Sequence, residues 1–154
     1  MLTDEEKQEI MAQQACFAQK AAVVPEALQI VQHRRGWVAD EDIDDLAALL
    51  EIATADIEGI ATAYNLIFRR PVGRHVILLC DSVSCWIMGY RSMHDCLTSL
   101  LKIQLGETTP DNRFTLLTTE CLGACDQAPA MLIDGNLHGN LTPEGVEQIL
   151  AMYQ

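Results

Sequence analysis

The chain has 154 residues, 49% of them hydrophobic and 21% charged, so it can bury a substantial core and extensive disorder is excluded. Asp and Glu number 22 against 10 Lys and Arg, which gives a formal net charge of −12. Such an acidic surface repels nucleic acid and anionic lipid, so we expect neither as a partner and favour a basic protein face instead.

Apolar residues recur at helical spacing in the first half of the chain and predict a small helical bundle. A first helix is expected over residues 4–20, and a second helix is expected to begin at Pro25. Asp40 is expected to cap the third helix. Thr54 is expected to cap the fourth, which would run to about Phe68.

The sequence Arg-Arg-Pro-Val-Gly at 69–73 interrupts this periodicity and predicts a boundary between two domains, 1–70 and 71–154. Strand and helix patterns alternate beyond it. The predicted elements are a strand at 75–80, a helix at 89–102, a strand at 114–119, a hairpin of strands 130–133 and 137–140, and a helix that begins at Thr142-Pro143-Glu144. This order predicts a small α/β sandwich whose first two strands run parallel.

Nothing in the sequence predicts a membrane-spanning or secreted chain. No uncharged run approaches the ~18 residues that a spanning helix needs, and the acidic N-terminus differs from the basic start of a signal peptide. We therefore expect a cytoplasmic protein without direct membrane insertion. In that compartment the six cysteines are expected to be thiols or metal ligands rather than disulfides.

Four cysteines form two closely spaced pairs, Cys80 with Cys85 (C-x4-C) and Cys121 with Cys125 (C-x3-C). Each pair follows a predicted strand, so two strands that end at the same sheet edge would bring four sulfur atoms together. Thiolates are soft ligands that suit iron–sulfur clusters and zinc. The spacing favours an iron–sulfur cluster and leaves open a structural zinc site or unconnected thiols.

Apolar residues near the pairs favour the iron–sulfur interpretation, because they would shield a redox centre from water. They are Val83, Trp86, Ile87, Met88 and Leu122. The C-x4-C-x2-C grouping of plant-type ferredoxins is absent, as is the C-x-x-C of disulfide oxidoreductases.

Several stretches between about residue 25 and the end of the chain carry a specific resemblance. They are Ala27–Gln32 with Gly36–Val38, Asp56–Tyr64, Pro71–His75, Cys80–Cys85, Glu120–Cys125, Ala128–Met131 and Leu141–Glu144. In these stretches the sequence resembles the thioredoxin-like [2Fe–2S] ferredoxin family. That family includes the subunit named E of bacterial NADH:quinone oxidoreductase (respiratory complex I) and subunits of NAD-linked hydrogenases and formate dehydrogenases.

The resemblance implies an α+β fold class, with an N-terminal helical bundle followed by a thioredoxin-like α/β [2Fe–2S] ferredoxin domain. It implies that one [2Fe–2S] cluster is bound by Cys80, Cys85, Cys121 and Cys125. The expected role is electron transfer in the NADH dehydrogenase module of complex I, on the cytoplasmic side of the inner membrane, beside a partner subunit that carries FMN and binds NADH. The alternatives are the equivalent subunit of an NAD-linked hydrogenase or formate dehydrogenase and, less favoured, a zinc-stapled interaction module.

No residue is expected to be catalytic, since the chain has no G-x-G-x-x-G motif, no Walker A loop and no persuasive grouping for nucleophilic catalysis. Cys16 and Cys96 have no spaced partner and are expected to pack as small apolar groups. One departure from the family concerns Ala63, which stands where the family commonly has Phe in a Thr-Phe-Tyr sequence. The smaller side chain removes packing area without touching the cysteine pairs.

Overall fold

Four α-helices form the N-terminal unit of the chain in a computed structural model, which describes residues 1–153. They are α1 (Asp4–Gln14), α2 (Val24–Arg35), α3 (Asp40–Leu50) and α4 (Thr54–Ala63), with a short 3-10 helix, Lys20–Val23, between α1 and α2. This unit extends from Met1 to Pro71. Its core contains fully buried side chains from every helix, among them Ile10, Leu28, Leu46 and Ile57. The predicted helical bundle is therefore confirmed.

The first helix is shorter than predicted. The N–H groups of Cys16 and Phe17 donate to the carbonyl groups three residues earlier, at 2.9 and 3.0 Å. These tighter bonds end the α-helical pattern, and Phe17 packs against the core of the unit.

The fourth helix also ends early, at Ala63 rather than near Phe68. The side chain of Gln32 donates to the carbonyl of Leu66 at 2.7 Å and accepts from the N–H of Phe68 at 2.6 Å. This amide supplies partners to backbone groups outside the helix, and no sequence pattern predicts such a long-range pairing.

Two predicted caps lie one residue inside their helices. Asp40 and Thr54 are the first helical residues of α3 and α4, and Ala39 and Ala53 occupy the cap positions. In α3 the side chain of Asp42 accepts from the N–H of Ala39 at 3.0 Å and performs half of a capping box.

A buried ion cluster connects three helices of this unit. Arg35, the last residue of α2, contacts Glu6 of α1 at 2.7 Å (Nη2–Oε2) and also pairs with Asp42 of α3. Glu6 is 1% exposed and Asp42 is 3% exposed. Because two carboxylates are buried together, the Arg35 guanidinium is needed to balance their charge.

The second unit, Val72–Gln154, is built on a four-stranded sheet. Its strands are β1 (His75–Cys80), β2 (Phe114–Thr119), β3 (Met131–Ile133) and β4 (Asn136–His138), in the spatial order β2-β1-β3-β4. The strands β1 and β2 run parallel, as predicted, and the other pairs are antiparallel. The hairpin between β3 and β4 turns at Asp134 and Gly135, both of which have positive φ.

Three helices complete this unit: α5 (Val83–Met88), α6 (Tyr90–Leu101) and α7 (Pro143–Ala151). The helix predicted at 89–102 corresponds to α6, whereas α5 has no counterpart among the predicted elements and is separated from α6 by Gly89, whose φ is 127°. Thr142 caps α7, as predicted, because its hydroxyl accepts from the N–H of Gly145 at 3.1 Å. Side chains of α6 and α7 pack with Ile77 and Leu79 of β1 in the core of the unit. The predicted α+β class is confirmed.

Within residues 1–153, none of the helices has both the length and the apolar character needed to cross a membrane.

Candidate metal centre

The parallel pairing of β1 and β2 brings both cysteine pairs to one edge of the sheet. Cys80 is the last residue of β1 and lies opposite Thr119, the last residue of β2, so the two strands end level. The first pair spans the turn from β1 into α5. The second pair follows β2, in a loop that leads into the 3-10 helix Cys125–Gln127. The two loops therefore leave the sheet side by side.

Backbone hydrogen bonds hold these two loops in place. The N–H of Cys80 donates to the carbonyl of Ala130 at 3.1 Å, and the N–H of Asp81 donates to the carbonyl of Thr119 at 3.0 Å. Beyond the second loop, the N–H of Asn140 donates to the carbonyl of Gln127 at 2.6 Å. Both ends of the second loop are thus tied to the sheet.

The four thiols differ in their exposure. Cys80 and Cys85 are each 3% exposed and pack together with Ala128 and Ala130. Cys121 and Cys125 are exposed, and their sulfur atoms lie 3.4 Å apart. The site consequently has a buried half and a half that opens to the surface.

Burial and neighbouring thiols shift the pKa values of three of the four paired cysteines. Burial raises the pKa of Cys85 to about 11, together with a hydrogen bond to Cys80 and the negative charges of the Cys80 and Cys125 thiolates. A hydrogen bond with Cys121, together with the charges of Cys121 and Cys80, raises the pKa of Cys125. The thiols of one loop therefore influence the ionisation of a thiol in the other.

Backbone donors face two of the sulfur atoms. The N–H of Gly123 lies 3.4 Å from the sulfur of Cys121 and, together with Cys125, lowers the pKa of that thiol. The backbone of Ala130 makes a hydrogen bond to Cys85. Gly123 has a φ of 78°, which favours glycine and lets the loop turn its N–H toward the sulfur. Donors of this kind stabilise the negative charge of a thiolate-bound cluster.

Ser84 adds a side-chain contact between the two loops, because its hydroxyl makes a hydrogen bond with Cys125. The sequence alone does not distinguish Ser84 from the neighbouring Ser82. Only the position of Ser84 in the first turn of α5 directs its hydroxyl toward the other loop.

The donor set fits a [2Fe–2S] cluster. All four cysteines are free thiols, and four thiolates are the ligands that such a cluster uses. In the part of the chain that the structure describes, no three His, Cys, Asp or Glu side chains converge on the position of a single metal ion. The number and the chemistry of the free thiols, two pairs from two loops, match this cluster.

The apolar residues expected to shield the site divide into two groups. Leu122 packs beside Cys80 and Cys85, as expected. Four others are largely exposed on α5, namely Val83 (71%), Trp86 (48%), Ile87 (76%) and Met88 (61%). Helix α5 turns the side chain of Cys85 inward, whereas these four side chains face solvent. The expected apolar cover is correct for Leu122 and wrong for the residues of α5.

The two remaining cysteines lie outside the two pairs. Cys96 is half-buried on α6, and its sulfur lies 3.7 Å from the carbonyl oxygen of Pro143. The expectation that Cys16 packs as an apolar group is wrong, since this thiol is exposed because α1 ends before it.

Gly139 lies against the second cysteine loop, a contact that has no signal in the sequence. A Cβ atom at this position would lie 2.5 Å from the Cβ and 3.0 Å from the carbonyl oxygen of Gln127. The substitution Gly139→Ala is therefore expected to displace the segment after Cys125 and to weaken cluster retention by about tenfold. Iron content per folded chain measures this effect.

The matched control is Gly59→Ala in α4, where a new Cβ would meet nothing within 4 Å. This variant is expected to keep its full iron content. Equal iron content in the two variants would show that the loop tolerates the displacement.

Comparison with known proteins gives consistent matches. The family model described as thioredoxin-like [2Fe-2S] ferredoxin matches residues 7–154. The chain is 46% identical over 153 residues to the NADH-quinone oxidoreductase subunit named E of Buchnera aphidicola subsp. Acyrthosiphon pisum, with coverage of 99% of this chain and 94% of the relative. It is 53% identical over 129 residues to the protein of that name from Escherichia coli K12, with coverage of 84% and 78%.

Among solved structures, the chain resembles a chain of an NAD+-reducing [NiFe]-hydrogenase in the H2-reduced state, with a TM-score of 0.69 and 26% identity. The match covers 82% of this chain and only 22% of the hydrogenase chain. The likeness therefore concerns one part of that longer protein.

Proposed function

The chain belongs to the thioredoxin-like [2Fe–2S] ferredoxin family, and from that premise we propose that it is an electron-transfer subunit of NADH:quinone oxidoreductase. The observation that carries the proposal is that β1 and β2 end level, so that the two loops with the paired free thiols leave the sheet side by side. When bound, a [2Fe–2S] cluster takes up and releases one electron at a time, whereas NADH delivers two electrons together to a flavin.

We propose Cys80, Cys85, Cys121 and Cys125 as the ligands, one pair for each iron. The buried pair keeps water from one side of the centre, and the exposed pair leaves the other side open. The N–H of Gly123 is aimed at sulfur and would stabilise the reduced, more negative state. In this proposal no side chain acts as a general acid, base or nucleophile.

The proposed partner is the subunit of the same complex that carries FMN and binds NADH. The assembly would hold this chain on the cytoplasmic side of the inner membrane. The equivalent subunit of an NAD-linked hydrogenase is the second candidate, because the hydrogenase chain shares the fold. The assignment to NADH:quinone oxidoreductase is preferred. The relatives of that name are 46–53% identical to this chain and match it over most of their own length. The hydrogenase chain is 26% identical, and the match covers only 22% of it.

Anaerobic purification of the full chain tests the proposal. We expect iron and acid-labile sulfide in the proportions of a [2Fe–2S] cluster, and the EPR signal of such a centre after reduction. A colourless protein that contains stoichiometric zinc and gives no signal would instead establish the zinc-stapled interaction module.

A further inference from the structure

Helix α5 presents an exposed apolar face outside the candidate cluster site. We define the docking face as Val83, Trp86, Ile87 and Met88, with Arg91 at its edge. Residues 82–93 contain no Asp or Glu, although the chain has 22 acidic residues in all. A contiguous apolar patch with a polar border is typical of a surface that binds another protein.

The aromatic residue of this face is held in place before any partner binds. The ring of Trp86 stacks on Tyr90, with centroids 5.2 Å apart and an interplanar angle of 18°. The guanidinium carbon of Arg91 lies 5.1 Å from the centroid of the Trp86 ring. Trp, Tyr and Arg are the residues most enriched at interface hot spots, and a preorganised side chain loses less entropy on binding.

The docking face lies on the same helix as Cys85. The Cys85 side chain is 3% exposed on the inner side of α5, whereas Ile87 and Met88 face solvent. Because a helix with its side chains is about 10 Å across, a protein seated on this face would lie within roughly that distance of the buried sulfur atoms. A partner bound to the docking face would therefore lie close to the candidate cluster site.

We propose that the docking face seats the flavin-bearing partner subunit, with an apolar pocket for Ile87 and Met88 and a carboxylate for Arg91. This inference rests on the proposed function and names the surface through which the chain would meet its electron-transfer partner. The proposed contact is mainly apolar at its centre and charged at its edge, as specific interfaces usually are.

A second copy of this chain is a less suitable partner for the docking face than the flavin-bearing subunit. Each copy carries a formal charge of −12, and the docking face is flanked in sequence by Asp81 and Asp95, both exposed. Two copies that met through this face would bring like charges together at its border. A partner with few acidic residues at the contact avoids this repulsion.

The test uses the full, cluster-loaded chain and the separately purified flavin-bearing subunit of the same organism. Two variants place a charge on the docking face, Ile87→Glu and Met88→Glu. The control is Met152→Glu, which adds the same charge at an exposed methionine of the same unit (66% against 61% exposed for Met88) but outside the docking face. Binding is measured by titration at one fixed ionic strength, together with the EPR signal of each variant and its sedimentation behaviour.

We expect the Ile87→Glu and Met88→Glu variants to keep the EPR signal and to lose affinity for the flavin-bearing subunit by about tenfold or more. The Met152→Glu variant should bind like the unchanged chain. Unchanged binding by both face variants would overturn the inference, as would a homodimer of the unchanged chain that Met88→Glu dissociates. If the unchanged chain carries no cluster or does not bind the flavin-bearing subunit, the proposed function fails first and the inference fails with it.

Discussion

Replacement of Cys121 by Ser is expected to abolish the [2Fe–2S] cluster, with iron content at least about tenfold below that of the unchanged chain. A serine hydroxyl is a poor substitute for a soft thiolate, and the loop offers no other sulfur at this position. The sulfur of Cys121 lies 3.4 Å from that of Cys125, so the substitution removes half of one pair. Iron and sulfide content and the EPR signal after reduction measure the result.

The control is Cys96→Ser, which makes the same chemical change on α6. Cys96 lies outside the group of four, and its sulfur contacts the carbonyl oxygen of Pro143. A serine there can still donate to that carbonyl, so full iron content is expected. The ligand assignment would be wrong if the Cys96 variant lost the cluster and the Cys121 variant retained it.

Replacement of Arg35 by Met is expected to lower the free energy of unfolding of the helical unit by about 3 kcal/mol at neutral pH. The variant keeps an apolar stem of similar length but leaves Glu6 and Asp42 buried together without a cation. Denaturant unfolding followed by far-UV circular dichroism measures the change. Faster hydrogen exchange in α1 and α3 would locate it in this unit.

The effect of this substitution should depend on pH. Burial opposes ionisation of Glu6, but hydrogen bonds from Thr3 and Arg35 and the Arg35 charge hold its pKa below the usual value. A carboxylate with a lowered pKa stabilises the fold above its unfolded pKa, about 4.3, and this contribution is lost as the pH falls through the folded pKa. Protonation of Glu6 also removes an unpaired buried charge from the Arg35→Met variant. The difference in the free energy of unfolding between the variant and the unchanged chain should therefore shrink below about pH 4.

Arg34→Met is the matched control for this experiment. Arg34 pairs with Glu5 and Glu9 on the surface, where solvent screens the charges. We expect no resolvable change in its unfolding midpoint. An equally large loss of stability in both variants would indicate that the arginine stems, and not the buried ion cluster, stabilise the unit.

Local patterns were sufficient to locate the elements that support the site. The buried runs at 75–80 and 114–119 are strands with the predicted bounds, because a short apolar β-rich run has few alternatives next to turn residues. The start of α7 is also a local property, because Thr142 is a favourable cap residue and Pro143 is favourable in the first turn of a helix. The cysteine spacings depend only on sequence and indicate the two loops that the sheet brings together.

Two of the features that sequence reasoning missed involve long-range contacts. Gln32 bonds to Leu66 and Phe68 beyond the end of α4, and the absence of a side chain at Gly139 makes room for Gln127. Residues so far apart leave no mark in a local periodicity. The orientation of α5 was missed for a different reason, since a six-residue helix has too few positions to define an apolar face from its sequence.

The sequence by itself determined the two kinds of unit, the order of the strands along the chain and the identity of the four paired thiols. Only the tertiary structure decided that the two cysteine loops leave the sheet side by side, because this placement depends on the register of β1 against β2, which ends both strands level. It also decided that Cys85 points inward while Trp86, Ile87 and Met88 face solvent. The spacing of the cysteines along the chain indicates the chemistry of the site. Strand register and helix orientation determine where its residues lie and which side chains stay exposed to a partner.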